Sequence, residues 1–196
     1  MFTGRDLKYN KEISFQYTNN IENILVNEVL IRELEKKNTT LYFSFHRNLN
    51  NKYQNKYQNI LKKNNLFKWI QQNEISECLS KTSLVITDFS SIIFDLMYRR
   101  KPYILFIPDA NEKNLENIYK TDYINMIKSF KNGTIKFENV YLTINETINK
   151  IIYYINNDFH IEPKLVNFYD SFGFKKGNNI NKFINYLINL NQIKNL

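Results

Sequence analysis

The chain alternates between short, densely apolar runs and longer stretches in which apolar residues recur at helical spacing. From residue 21 to residue 37, behind Asn19 and Asn20, Val26, Leu30 and Leu34 return every fourth position among charges, which predicts one amphipathic helix lying on a sheet. Leu41-Tyr42-Phe43-Ser44-Phe45 follows as an aromatic run between threonines and a polar loop, and predicts a strand ending at His46. In the lysine-rich segment 48–65, Tyr53, Tyr57, Ile60 and Leu61 stand at helical spacing ahead of an apolar run at 66–70 that reads as a strand. A short helix over 74–80 then precedes Leu84-Val85-Ile86-Thr87, whose unbroken apolar character suits a strand covered on both faces in a parallel sheet.

After Asp88 the period changes. Ile92, Ile93, Leu96 and Met97 form the apolar face of a helix ending near Arg99 and Arg100, a basic end that complements the helix dipole. Pro102 opens the strand 103–107, closed by Pro108 and Asp109, and a β-α-β unit is complete. Downstream the pattern predicts a helix over 117–130, a turn at Gly133, a last strand over 140–144 and a helix over 146–156. A looser stretch interrupted by Pro163, Gly173 and Gly177 then leads to a terminal helix over 181–190 carrying Phe183, Leu187 and Leu190 on one face. This alternation defines an α/β fold with an open, mostly parallel, Rossmann-like sheet and helices on both faces, whose ligands belong outside the carboxyl ends of the strands. A length of 196 residues suits one such domain, residues 1–196, and is short for two.

Composition narrows the function classes without choosing one. Hydrophobic residues at 43% and aromatics at 15% suffice for a packed core. The abundance of Asn, Ile, Lys and Tyr beside four Gly and three Pro resembles a codon bias, so the Asn runs carry little weight. A net charge of +8 favours phosphate-rich partners, whether nucleotide-linked donors, anionic polymer, nucleic acid or anionic lipid, but Lys and Arg are dispersed as on a solvated surface. Cys78 is the one cysteine, which excludes a disulfide framework and a multi-cysteine metal site; a buried thiol in a reducing cytoplasm is the expectation. No apolar stretch approaches the ~20 residues of a membrane span, and the first residues, with Arg5 and Asp6, do not form a signal-peptide core. The expected location is the cytoplasm, at most peripherally at the inner face of the membrane.

The segment 85–95 carries the chemistry. Ser90 and Ser91 stand where a strand gives way to a helix, so their hydroxyls and the first backbone N–H groups of the helix can converge on a phosphate. The same spacing suits a serine that caps the helix. Asp88 would tether the loop or cap the helix, and Asp95, a turn further on, would orient rather than react. His46 falls at a strand's carboxyl end, where a sheet of this type places a ligand, although a histidine satisfied at a strand end is the other reading. His160 falls in a loop and is expected at the surface.

Thr87-Asp88-Phe89-Ser90-Ser91, followed by Phe94-Asp95, resembles the Thr-Asp-Tyr-Ser-Ser…Phe-Asp signature of the CDP-glycerol glycerophosphotransferases of the teichoic-acid polymerase type, with Phe in place of Tyr. Thr3-Gly4-Arg5-Asp6 resembles the family's Thr-aromatic-Arg-Asp motif with Gly4 in place of the aromatic, and His46-Arg47 stands where the family has His-Pro. Residues 74–79, Lys101-Pro102 and Asp109 fall in the family's order. The resemblance implies the C-terminal, donor-binding half of a GT-B architecture, without the preceding acceptor domain whose His-Gly motif holds the family's candidate general base. It implies transfer of glycerol phosphate from CDP-glycerol, or a related CDP-polyol, to a teichoic-acid-like polymer with release of CMP. No metal and no cofactor are implied. By this likeness Ser90, Ser91, Thr87 and Arg5 hold the donor phosphates and His46 is the candidate catalytic group, with Arg5 and His46 countering charge that shifts onto CMP. Asp88, Asp95 and Asp109 support them. The implied partners are the CDP-activated donor, an anionic polymer acceptor and a separate acceptor-domain protein, with no nucleic acid. Two other readings stand beside this one: a nucleotide-sugar glycosyltransferase domain of the same architecture, and a non-catalytic basic module for polyanions.

Overall fold

The computed structural model describes residues 2–3, 15–45, 55, 57, 61–62, 64–88, 92–108, 110, 124–125, 127–129, 132–133 and 136–171. Their centre is a six-stranded sheet made of β1 (Phe2–Thr3), β2 (Leu41–Phe45), β3 (Phe67–Trp69), β4 (Val85–Thr87), β5 (Tyr103–Phe106) and β6 (Val140–Tyr141). The order across the sheet is β3-β2-β1-β4-β5-β6, and every pairing is parallel. The β-branched and aromatic residues of the middle strands explain the placement, because a strand covered on both faces must be apolar at odd and even positions alike.

Alternation along β4 and β5 divides the core in two. Ile86, Ile104 and Phe106 pack on one face against α1 (Phe15–Val26), α2 (Glu28–Lys36) and α5 (Ile144–Asn156). Val85, Tyr103 and Leu105 pack on the other against α3 (Ile75–Lys81), α4 (Ile92–Tyr98) and α6 (Pro163–Ser171). The expected open α/β sheet with helices on both faces is thus the observed fold.

Several boundaries differ from the pattern-based expectation, each for a local reason. The single helix expected over 21–37 is two, because Asn27 takes an extended conformation and its Oδ1 accepts a hydrogen bond from the Leu30 N–H at 2.9 Å, capping α2. Val26, placed on the apolar face by its spacing, is exposed, while Ile21, Ile24 and Leu25 are buried. The strand expected over 140–144 stops at Tyr141, since the Thr143 hydroxyl caps α5 by accepting from the Glu146 N–H at 3.4 Å and is itself held by donating to Glu146 Oε2 at 2.6 Å. Pro163, expected to interrupt a loose stretch, opens α6, a position where its missing N–H costs nothing, and Leu165 and Tyr169 of that helix are fully buried. Cys78, expected in the core, is half-buried on α3, with Sγ 3.6 Å from the Thr82 hydroxyl. Gly133 lies in the expected turn with a φ of 76°. Residues 124–125 and 127–129 of the helix expected over 117–130 are helical; its remaining residues and the helix expected over 181–190 lie outside the described residues.

Candidate functional site

Strands β1, β2 and β3 step to one side of the sheet and β4, β5 and β6 to the other, so the order reverses between β1 and β4. Connections that leave adjacent carboxyl ends in opposite directions open a crevice there, and in open α/β sheets that crevice is where ligands bind. The register fixes which residues reach it. Phe2 pairs with Ser44 on one side and Thr87 on the other, and Thr3 pairs with Phe45. Thr3 and Phe45 therefore end their strands level with each other beside the reversal, and Thr87 ends one residue earlier, level with Phe2 and Ser44.

Of the residues singled out in the sequence, Thr87 and Asp88 lie at this edge and are 0% and 1% exposed. Both are enclosed by the fold, and both make polar interactions. Asp95 is exposed on α4, with its backbone carbonyl accepting from the Arg99 N–H at 3.0 Å. Arg5, His46, Ser90, Ser91 and Asp109 lie outside the described residues. The described residues nearest before them in the chain are Thr3 and Phe45, which end β1 and β2, Asp88, which directly follows β4, and Pro108, two residues past the end of β5. Among the described residues no group of three or more His, Cys, Asp or Glu could hold a metal ion, and no helix is long and apolar enough to cross a membrane.

The basic residues that follow α4 serve the other edge of the sheet. Arg100 forms an ion pair with Asp170 of α6. Lys101 donates to the Ser80 carbonyl at 3.2 Å and to the Thr82 carbonyl, tying the end of α3 to the start of β5. Burial, and then the nearby Arg99 charge, lower the pKa of the Lys101 ammonium. The Lys101 carbonyl in turn accepts from the Tyr169 hydroxyl at 2.6 Å, and the Tyr169 ring stacks on Tyr103 with centroids 5.9 Å apart. These contacts are structural ties. His160 is exposed, as expected, with Nδ1 2.8 Å from the Asn157 carbonyl.

Sequence reading missed a buried polar chain beside β5 and β6. Asn139 donates to the Tyr103 carbonyl at 3.2 Å and to the Tyr154 hydroxyl at 2.8 Å; that hydroxyl donates to Glu162 Oε2 at 3.0 Å, and Lys150 pairs with the same carboxylate at 2.6 Å. Burial, reinforced by the negative Glu162, pushes the Tyr154 phenol well above its usual pKa, so it stays protonated as a donor. The available signal was Asn139 itself, a polar residue before a strand, which adopts a φ of 55°.

The amino edge of the sheet holds a cavity of about 460 Å³, beside the starts of β2 and β4. Leu41, Tyr42, Leu84, Ile86, Ile151 and Ile155 are among the residues that line it. At its rim Glu77 and Lys81 pair at 2.7 Å; the hydrogen bond between them, and then their opposite charges, lower the Glu77 pKa and raise that of Lys81. The cavity lies toward the amino ends of the strands, and the crevice at their carboxyl ends.

A parallel sheet in this order, with Thr87-Asp88 enclosed at the reversal, defines an open α/β domain of the Rossmann-like class. Residues 3–189 match the family described as CDP-Glycerol:Poly(glycerophosphate) glycerophosphotransferase, and the chain belongs to that family. It is similar to the Minor teichoic acid biosynthesis protein GgaB of Bacillus subtilis (strain 168), with 31% identity over 116 residues, which are 59% of this chain and 12% of that protein. The chain thus spans a small part of the length of that relative. No solved structure matches it.

Proposed function

We propose that this chain is a CDP-polyol-binding domain that takes part in transfer of glycerol phosphate from CDP-glycerol to a teichoic-acid-like polymer. The observation that carries the reading is the position of Thr87-Asp88: enclosed at the carboxyl end of β4, beside the reversal of strand order, and directly ahead of Phe89-Ser90-Ser91 in a chain of this family. In this reading Thr87 and Asp88 form the floor of the crevice. Ser90, Ser91 and Arg5 hold the diphosphate above it. Helix α4 has seven residues and a correspondingly short dipole, so hydroxyls and the guanidinium carry more of the binding than the helix end does.

In the transfer, a hydroxyl oxygen of the polymer forms a bond to the phosphorus that bears glycerol. The bond from that phosphorus to the bridging oxygen breaks, and CMP leaves with the electron pair. His46 and Arg5 would stabilise that leaving charge. The hydroxyl proton needs a base within hydrogen-bond reach, and we assign it to an acceptor-binding domain that faces this one in a GT-B arrangement. The work of this domain is positioning and electrostatics, which can supply much of the rate enhancement in phosphoryl transfer. Peripheral attachment at the inner face of the membrane fits the +8 charge and an anionic, growing polymer.

Calorimetry tests the reading. CDP-glycerol should bind more tightly than CMP, and Ser90→Ala combined with Ser91→Ala should weaken CDP-glycerol at least tenfold while leaving the melting temperature in place. Negligible affinity for both ligands would remove the proposal. Preference for a UDP-sugar over CDP-glycerol would point to a glycosyltransferase, and affinity for any polyanion that collapses with salt and ignores the two serines would point to a basic binding module.

A further inference from the structure

Helix α4 leads from the donor crevice towards the amino edge of the sheet. Its first residue, Ile92, directly follows Ser90-Ser91 in the chain, and its seven residues make a rod about 10 Å long. A helix this short has little stability of its own, so its placement depends on what holds it from outside. Ile93, Leu96 and Met97 bury one face in the half-core they share with Leu165 and Tyr169 of α6. Apolar burial is not directional, and it leaves the tilt of the helix to be set by polar contacts.

Those contacts gather at its carboxyl end. The helix stops in a Schellman turn: the Lys101 N–H donates to the Leu96 carbonyl at 2.9 Å and the Arg100 N–H to the Met97 carbonyl at 3.1 Å, with Arg100 at a φ of 52°. Glycine is the residue this left-handed position favours, and an arginine is strained there. What the arginine brings is its side chain, which is partly buried and ion-paired with Asp170 in the last turn of α6. Tyr169, next to Asp170, donates from its hydroxyl to the Lys101 carbonyl at 2.6 Å while its ring stacks on Tyr103 of β5. Two adjacent residues of α6 thus clamp the turn that ends α4, and one of them is anchored in the core.

We propose, resting on the donor-binding reading above, that Arg100 and Asp170 are positioning residues for the donor crevice. By fixing the carboxyl end of α4 they set the tilt of the helix, and with it the place of the Ser90-Ser91 segment that leads into its amino end. Both act through the helix, from the end remote from the crevice.

Arg100→Gly separates this role from a purely structural one. Glycine relieves the backbone, so the melting temperature should stay within about 3 °C of the parent chain's, while affinity for CDP-glycerol in calorimetry should fall about fivefold. Asp170→Asn should weaken binding by a similar factor. The charge-swapped pair, Arg100→Asp with Asp170→Arg, should recover most of the affinity, since aspartate tolerates a left-handed backbone and the opposite charges still meet. Unaltered affinity in the single variants would overturn the proposal, as would a swapped pair that binds no better than they do, or an affinity that falls only in step with the melting temperature. A parent chain that fails to bind CDP-glycerol would sink the donor-binding reading instead, and amide exchange without nucleotide then decides the positioning role. Residues 87–98 should exchange about tenfold faster in Arg100→Gly than in the parent, with residues 41–45 and 148–155 unchanged. Equal exchange at 87–98 in the two chains would overturn it.

Discussion

Thr87 in β4 stands in parallel register with Phe2 in β1, and this pair marks where the sheet reverses its order. On the β1 side the chain proceeds outward to β2 and β3, and on the β4 side to β5 and β6. The loops that follow the two residues therefore diverge, and the crevice between them is a consequence of topology before any side chain is considered.

Thr87 is enclosed at that junction and engaged in a polar interaction. Thr87→Val keeps the outline but removes a hydroxyl enclosed in the fold, which should cost about 1–3 kcal/mol. Urea unfolding of the two chains measures it; an unchanged midpoint would mean that the hydroxyl contributes nothing to the fold.

Asn139 combines two roles that substitution can separate. It holds a left-handed backbone conformation, and its side chain bridges the Tyr103 carbonyl to the Tyr154 hydroxyl. Asn139→Ala loses both, whereas Asn139→Gly loses the bridge but keeps the conformation at ease, so the alanine variant should be less stable than the glycine variant by about 1 kcal/mol. Neither should alter donor affinity, because Asn139 precedes β6 and sits away from the carboxyl edge.

Acid should weaken the fold through Glu162. Burial pushes its carboxyl upward, but hydrogen bonds from Lys150 and Tyr154 and the charges of Lys150 and Lys164 outweigh this and hold it below the ordinary value of 4.5. A depressed folded-state pKa gives stability that is full above the unfolded value and disappears as pH falls through the folded one. Denaturant midpoints should therefore drop on acidification from about pH 4.5 downward, and Glu162→Gln should be less stable at neutral pH with a flatter acid dependence. A parallel pH profile in the variant would assign the acid sensitivity elsewhere.

What could be read in the sequence was what rests on uninterrupted local pattern. β4, α4 and β5 were legible because Val85-Ile86, then Ile93, Leu96 and Met97, then residues 103–106 switch cleanly between strand and helix periods. β1 was not, since two residues have no period. The break at Asn27 was hidden because Leu30 and Leu34 continue the stripe that Val26 begins, and only a side-chain hydrogen bond to Leu30 ends one helix and starts another. The same holds at Thr143. Strand order is set by long-range pairing such as that of Phe2 with Thr87, which leaves no local trace, so the carboxyl ends of β2 and β4 could each be named as a place for ligands while their position on either side of β1 could not.

Amide exchange with and without CDP-glycerol tests the central claim most directly, because the two ends of the sheet are separated in the sequence. Binding at the strand-order reversal predicts new protection in peptides covering residues 2–8, 44–50 and 87–95, with residues 70–84 unaffected. Protection confined to 70–84 and 151–159, around the amino-edge cavity, would contradict it.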